Sequence, residues 1–307
     1  MLDGVSLDQL RTFLAAADAG SFSAAGRRLG RAQSVVSQTL GALERQLGVQ
    51  LFDRSARYPM LTDAGTALVP EARAVAGRMD VFKARARDLA GGLEAELSVA
   101  IDVMFPIQIF THAVTDFQAT FPHTPLRVDV EALGAVIQPV IDRRCAFAVV
   151  GTLPLVPPEL AQERLLSISM LMVAAPGHPL ATRPGPIPRA DLAEHVQLVL
   201  TDRSDLSRGK EFGVLSPKTW RLADLGAKLA FLRAGLGWGS MPSFMVEADL
   251  AEGRLVELAV EDAWPEGNLI TMFAVHRRDT PPGPAGRWLI ERLKGTASLC
   301  PGQEGAA

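Results

Sequence analysis

Apolar residues between positions 33 and 47 recur at the spacing of one helical face. Val36, Leu40, Leu43 and Leu47 fall in one stripe when about 100° is allowed per residue. The opposite stripe carries Ser34, Gln38, Gly41 and Arg45, with Gln33 and Ser37 flanking it near the start. A shorter Ala-rich helix is predicted over residues 24–29, with Ser23 as its cap and Gly30 as its stop. Only a short break separates the two helices, and the second is predicted to begin near Ala32 or Gln33 and to end before Gly48.

The run LGVQLFDRSARYPMLTDAG then reads as a β-hairpin followed by a new helix start. Leu51 and Phe52 anchor one arm, Tyr58 and Leu61 the other, and Arg54, Ser55 and Arg57 lie at the tip. Thr62 and Asp63 cap the next helix. That helix spans residues 64–90, and Leu68, Val75, Phe82 and Leu89 repeat along it every seven residues. Ala72, Met79 and Ala86 fill in four residues further on, completing an apolar seam of coiled-coil type. The same stripe would also suit a core helix of a single domain. Ala90, Gly91 and Gly92 form a break.

From Leu93 the pattern alternates short apolar runs with helical segments. Strands are predicted at ELSVAIDVMFP, PLRVDVEALG and CAFAVVG, then at 168–174, 196–200 and 269–276; helices are predicted at 107–120 and 135–142. This alternation predicts an α/β fold with a mainly parallel sheet.

The two short helices suit a helix-turn-helix whose second helix enters a DNA major groove. Glutamine offers its amide bidentately to adenine, and serine reaches bases or phosphates. Arg27, Arg28 and Arg31 precede the helix, Arg45 lies on it, and Arg54 and Arg57 follow it as phosphate anchors. A helical hairpin with a solvated polar face explains the two helices equally well when they are taken alone.

The continuation carries a resemblance. The stretch from Leu7 to Gly65 resembles the N-terminal winged helix-turn-helix of the LysR-type transcriptional regulators. The matching positions are Leu7-Asp8-Gln9-Leu10, Phe13, Gly20-Ser21-Phe22, Ala24-Ala25, Leu29, Gln33, Ser37, Leu43-Glu44, Leu47-Gly48, Leu51-Phe52, Arg54, Leu61-Thr62 and Ala64-Gly65. Ala32 departs from the usual Ser or Thr, Ser34 from a frequent Pro, and Gln38 from a frequent Arg or Lys. Further on, FQATFPHTPLRV, APGHPLA, AGLGWGSMP and LAEGRLVEL resemble the family's effector-binding region, of periplasmic-binding-protein type. Arg143 and Ala146 depart there from a common Gly and Asp.

The resemblance implies a winged helix-turn-helix over residues 1–63 and a dimerisation helix and hinge over 64–92. It implies an effector-binding domain over 93–295, with subdomain I at 93–163 and 270–295 and subdomain II at 164–269. Residues 296–307 are expected to be a disordered tail. Leu68, Val75, Met79, Phe82 and Leu89 are the expected dimerisation residues. The implied partners are double-stranded DNA with an inverted-repeat operator, a small-molecule effector, a second copy of the chain in a dimer or tetramer, and RNA polymerase.

Ligands of open α/β sheets bind beyond the carboxyl ends of the strands. That rule nominates Asp102, Val103, Met104, Ala132, Leu133, Gly134, Ala135, Gly151, Thr152, Thr201 and Asp202, with Trp220 and the Gly235–Met241 turn, which holds Trp238 and Met241, nearby. Asp102 either meets a ligand amine or holds a loop N–H. The tryptophans either stack on a ring or belong to the core.

Charge sharpens the division of labour. Residues 1–92 hold 12 Lys/Arg against 9 Asp/Glu, a balance of +3, whereas the whole chain is at -3. No signal peptide or membrane span is read, so a cytoplasmic protein is expected. Cys145 and Cys300 lack metal-ligand spacing, and neither a metal nor a cofactor is expected. They leave open a redox-responsive regulator, with Met104, Met170, Met172, Met241 and Met245 as further oxidation targets. A solute-binding protein is a further alternative on fold alone. GLGWGS lacks the full dinucleotide fingerprint, no phosphate loop appears, and an enzyme is not expected.

Overall fold

A computed structural model describes residues 4–55, 59–151, 157–204, 206, 212–261 and 267–296. The chain divides into two units, Met1–Gly91 and Gly92–Ala307.

In the first unit, α1 (Leu7–Ala19) opens with a reciprocal cap in which Ser6 Oγ accepts the Gln9 N–H and Gln9 Oε1 accepts the Ser6 N–H. α2 (Phe22–Leu29) starts earlier than its sequence pattern predicts. Ser21, not Ser23, caps it by accepting the Ala24 N–H at 3.2 Å. Burial of the Phe22 ring explains the shift, because Phe22 stacks edge-on against Phe52 and must sit inside the first turn. Ser23 instead accepts a hydrogen bond from Arg27.

α3 (Gln33–Leu47) buries Val36, Leu40 and Leu43 completely against Phe13, Phe22 and Leu51. Each such side chain contributes about 1.5–3 kcal/mol of burial. β1 (Phe52–Asp53) and β2 (Met60–Leu61) pair antiparallel as a short wing. α4 (Asp63–Ala90) follows, capped by Thr62 and tolerating Pro70 near its start.

The second unit is built on a nine-stranded sheet. The strands are β3 (Leu97–Asp102), β4 (Leu126–Glu131), β5 (Phe147–Val150), β6 (Leu160–Ala174), β7 (Gln197–Leu200), β8 (Thr219–Leu222), β9 (Trp238–Pro242), β10 (Val256–Glu257) and β11 (Leu269–Arg277). They lie in the order β4-β3-β5-β11-β6-β9-β7-β8, and β10 pairs with β6. The helices are α5 (Ile107–Thr120), α6 (Gly134–Ile141), α7 (Arg189–Leu192), α8 (Leu225–Arg233), α9 (Ser243–Ala251) and α10 (Pro284–Thr296).

The sheet is mixed, which corrects the expectation of a mainly parallel one. Its two ends are parallel, at β4-β3-β5 and at β9-β7-β8. Its centre is antiparallel, because β6 and β11 are two long strands that carry the chain out to the second lobe and back. Strand β6 pairs with β11 through residues 160–169 and with β9 through residues 170–174. The register of β6 on β11 shifts between Met272 and Phe273.

Strands β3 and β5 are buried on both faces. Leu97, Val99, Ile101, Phe147 and Val149 join the core that includes Phe110 and Phe117 of α5 and Leu289 of α10. Ala100, Ala148 and Val150 face Val136, Ile137 and Val140 of α6. This double burial is why those strands read as near-continuous apolar runs.

Candidate functional site

Two surfaces carry the chemistry, one in each unit. In the first, α3 presents Gln33, Ser34, Gln38 and Arg45 as exposed side chains, with Ser37 half-buried. Ala32 stands at its N-cap with no side-chain hydrogen bond; the Val35 N–H turns back onto the Ala32 carbonyl at 3.1 Å, and the Gln33 and Ser34 N–H groups ahead of it are the ones that can meet an acceptor from outside.

The surrounding guanidinium groups differ in freedom. Arg27 and Arg28 are exposed; Arg28 lies 3.6 Å from Asp18. Arg31 makes a two-pronged pair with Asp8 at 2.7 and 2.8 Å, and this pairing lowers the Asp8 pKa. Arg54 donates to Glu44 at 2.6 Å and lies over the Phe22 ring at 5.5 Å. Glu44 also accepts the Leu51 and Phe52 N–H groups, so Arg54 braces the wing against α3. Arg57 and Tyr58 lie outside the described residues.

Along α4, Val75, Phe82 and Leu89 are exposed, Phe82 at 68%. Val75, Met79 and Phe82 line one shallow groove with Ala74 and Arg78. Leu68 differs from the expectation. It packs against the core of its own unit, because the first turns of α4 cover α1.

The second surface is a cavity of about 160 Å³ between the two lobes of the sheet. Asp102, Met104, Leu133 and Gly151 line it from one lobe; Gln197, Leu198, Leu200, Phe212, Leu225, Lys228 and Ser240 line it from the other. Leu133 takes φ 53°, an uncommon value for a residue with a Cβ, at the turn into α6. Asp102 Oδ1 accepts the Met104 N–H at 2.9 Å, and its buried Oδ2 has no hydrogen-bond partner. Burial pushes the carboxyl up to about 6, opposed by the N–H groups of Met104 and Gly151. The loop role for Asp102 thus accounts for Oδ1, while the Gly151 N–H favours the charged carboxyl without closing a hydrogen bond on Oδ2.

Val103, Gly134, Thr201, Trp220, Trp238 and Met241 do not line this cavity. Trp238 is fully buried at the amino end of β9, enclosed by Met172, Leu180, Ile187 and Leu258. Met241 is fully buried in the main core. Trp220 is half exposed on the edge strand β8, and Thr201 spends its N–H on the Leu222 carbonyl. Val103 packs on the core. Gly134 is buried beside the cavity, its N–H donating to Asp202 at 3.0 Å. Thr152 lies outside the described residues.

Residues 7–66 match the bacterial regulatory helix-turn-helix protein, lysR family, and residues 90–298 match the LysR substrate binding domain. The chain belongs to the LysR family of transcriptional regulators. Among curated relatives, the probable HTH-type transcriptional regulator YhaJ of Escherichia coli K12 is 29% identical over 94% of this chain and 96% of its own. The structure of CbnR, a LysR family transcriptional regulator, superposes with a TM-score of 0.57 at 22% identity, covering 94% of this chain and all of that one. CbnR complexed with its target DNA gives 0.54 at 21% identity, covering 95% of this chain and all of that one.

For this LysR-type regulator, sequence reasoning passed over Lys228. It lies in α8 on the buried stripe Leu225, Lys228, Leu229 and Leu232, and is itself 3% exposed. A lysine at an apolar position of an i, i+3, i+4, i+7 pattern was a readable signal. Asp202 was nominated at its strand end, but its role as the α6 cap was not foreseen, because it pairs residues far apart in sequence that no local pattern joins.

Proposed function

We propose that this LysR-type regulator binds an inverted-repeat operator as a dimer and changes its grip when a small molecule enters the cavity lined by Asp102 and Lys228. The observation that carries the reading is α3. Its apolar stripe is consumed by the core, while Gln33, Ser34 and Gln38 stand together in solvent beside an uncapped N-terminus. Glutamine amides read adenine edges, and the open N–H groups meet a phosphate. Arg27 and Arg28 supply backbone contacts that carry no sequence information. The exposed Val75, Phe82 and Leu89 face of α4 supports pairing with a second copy, which sets two recognition helices about one DNA turn apart. Contact with RNA polymerase in the cytoplasm completes the regulatory role, and no described helix is long and apolar enough to cross a membrane.

A redox trigger receives less support. Burial, with Asp129 nearby, pushes the Cys145 thiol up to about 11, which suppresses the reactive thiolate. Met104, Met170, Met172 and Met241 are buried. Cys300 lies outside the described residues.

The test is capture of genomic fragments by the full chain, followed by anisotropy titration of the enriched sequence against random duplex at two salt concentrations. Enrichment of a two-fold symmetric site with a salt-dependent affinity is expected. Equal binding to every duplex would remove the proposal.

A further inference from the structure

Deepening that reading, and resting on the cavity as the effector site, the polar groups on its wall define what it accepts. Lys228 enters the cavity from α8. Its stem passes Gly239 of β9, where an added Cβ would lie 3.2 Å from Lys228 Cε, so the glycine leaves the lysine its path. Nζ donates to the Ser240 carbonyl at 2.7 Å. Among the described residues no carboxylate pairs with it. Its pKa is lowered to about 8 by burial, and no described acid compensates the charge. An ammonium donates three hydrogen bonds, and among the described residues one is taken. A buried cation with no counter-ion is costly and asks for an anion from outside.

The other polar groups narrow the choice. Gln197 Oε1 accepts from the Leu215 and Ser216 N–H groups and its Nε2 donates one of its two N–H bonds to the Gly213 carbonyl, so its oxygen is committed to the protein and it offers no acceptor to a ligand. Among the described residues, Asp102 is the one acid on the lining, and its Oδ2 accepts no hydrogen bond. The remaining wall is largely apolar, with Met104, Leu198, Leu225 and Ile270. At ~10–15 Å³ of such space per water-sized group, a cavity of this volume holds on the order of ten non-hydrogen atoms.

We propose that the effector is a small organic acid with a single carboxylate paired to Lys228 Nζ, an apolar body, and a hydroxyl or amino group that donates to Asp102. Dicarboxylates are disfavoured, because a second negative group would meet the unneutralised Asp102. Neutral amides are disfavoured, because they leave the Lys228 charge uncompensated.

The test is a binding screen of the full-length protein against molecules of eight to twelve non-hydrogen atoms: neutral, cationic, monocarboxylate and dicarboxylate. It includes one skeleton in five forms, namely isocaproate, 2-hydroxyisocaproate, leucine, isocaproamide and 2-methylglutarate. Thermal shift and calorimetry read binding, and operator anisotropy reads the response. The expected hits are monocarboxylates, with the hydroxy or the amino form binding at least tenfold tighter than the unsubstituted acid, and the better of the two identifying the donor. Lys228→Met should weaken these hits at least tenfold, with Lys228→Arg retaining part of the affinity. Asp102→Asn should erase the advantage that the substituted acids hold over isocaproate. A cooperative thermal transition of the effector region without ligand confirms that each variant is folded. Monocarboxylate hits that survive Lys228→Met, hits dominated by neutral or dicarboxylic molecules, or a screen with no hits each overturn the proposal. A protein that binds these acids but no operator refutes the regulatory reading and leaves the ligand chemistry standing.

Discussion

The Asp202 carboxylate grips the amino end of α6 at Gly134. Oδ2 accepts the Gly134 N–H at 3.0 Å, and Oδ1 accepts the Ala135 N–H at 3.1 Å. The acid comes from the segment after β7 in one lobe, and the helix belongs to the other. It therefore serves as the helix cap that Leu133 cannot provide and as a bond across the cleft. Gly134 permits the approach, since a Cβ there would lie 2.4 Å from Asp202 Oδ2.

Breaking this bond should loosen the cleft. Asp202→Ala is expected to cost about 0.5–2 kcal/mol of stability, as loss of a helix cap does. Gly134→Ala pushes the carboxylate away and should cost a similar amount. Because both changes destroy one contact, the double variant should be less destabilised than the sum of the two. Denaturant titration of the four proteins decides it; strict additivity refutes the coupling.

On DNA, Gln33→Ala should relax preference at one base of each half-site by about 1–3 kcal/mol while other positions keep their ranking. Arg27→Ala should weaken all sequences alike and reduce the salt slope by about 1. Arg54→Ala should behave differently from a phosphate contact, because Arg54 is held by Glu44 and Phe22; it should lower thermal stability. A base-preference selection run beside a melting curve separates the three.

The exposed seam of α4 makes an assembly prediction. Phe82→Glu places a charge at the most exposed of its apolar residues and should shift the protein toward monomers at micromolar concentration. Sedimentation velocity reads the outcome, and an unchanged distribution would show that this face is not the contact.

Two carboxyls give pH signatures of opposite sign. Asp102 is held at about 6 in the folded protein against an ordinary 3.8. The folded state therefore binds the proton more tightly, and the stability this gives is full below about 3.8 and lost as pH rises through about 6. Asp102→Asn removes the charge and should stabilise the ligand-free protein by ~1–3 kcal/mol near pH 7.5, with little gain near pH 4. Glu163 runs the other way. Its bonds to Arg287, then to Lys294 and His276, hold it at about 2 against an ordinary 4.5. That stability is present above about 4.5 and lost as pH falls through about 2. Glu163→Gln should cost about 1–2 kcal/mol near neutrality, and less in strong acid. Melting temperatures across the pH range test both signs.

Legibility in the sequence follows the range of the interactions. α3 was readable because Val36, Leu40 and Leu43 obey a local period and because Gly48 stops the helix. The strands were readable as apolar runs, but the antiparallel centre was not, since the directions of β6 and β11 are set by partners about a hundred residues apart. The strand-end rule found Asp102, Met104 and Leu133 on the cavity wall. It failed for Trp238 and Met241, whose size and apolarity suit a core as well as a ligand. Gly134 carries no side chain to announce its bond to Asp202.

The fifteen residues of β6 bear on how the effector region comes apart. One uninterrupted ribbon supplies hydrogen-bond partners to both lobes, so neither lobe can melt without stripping an edge from its neighbour. Heating should therefore show a single calorimetric transition for this region, and a molecule bound at the cleft should raise the midpoint for both halves together.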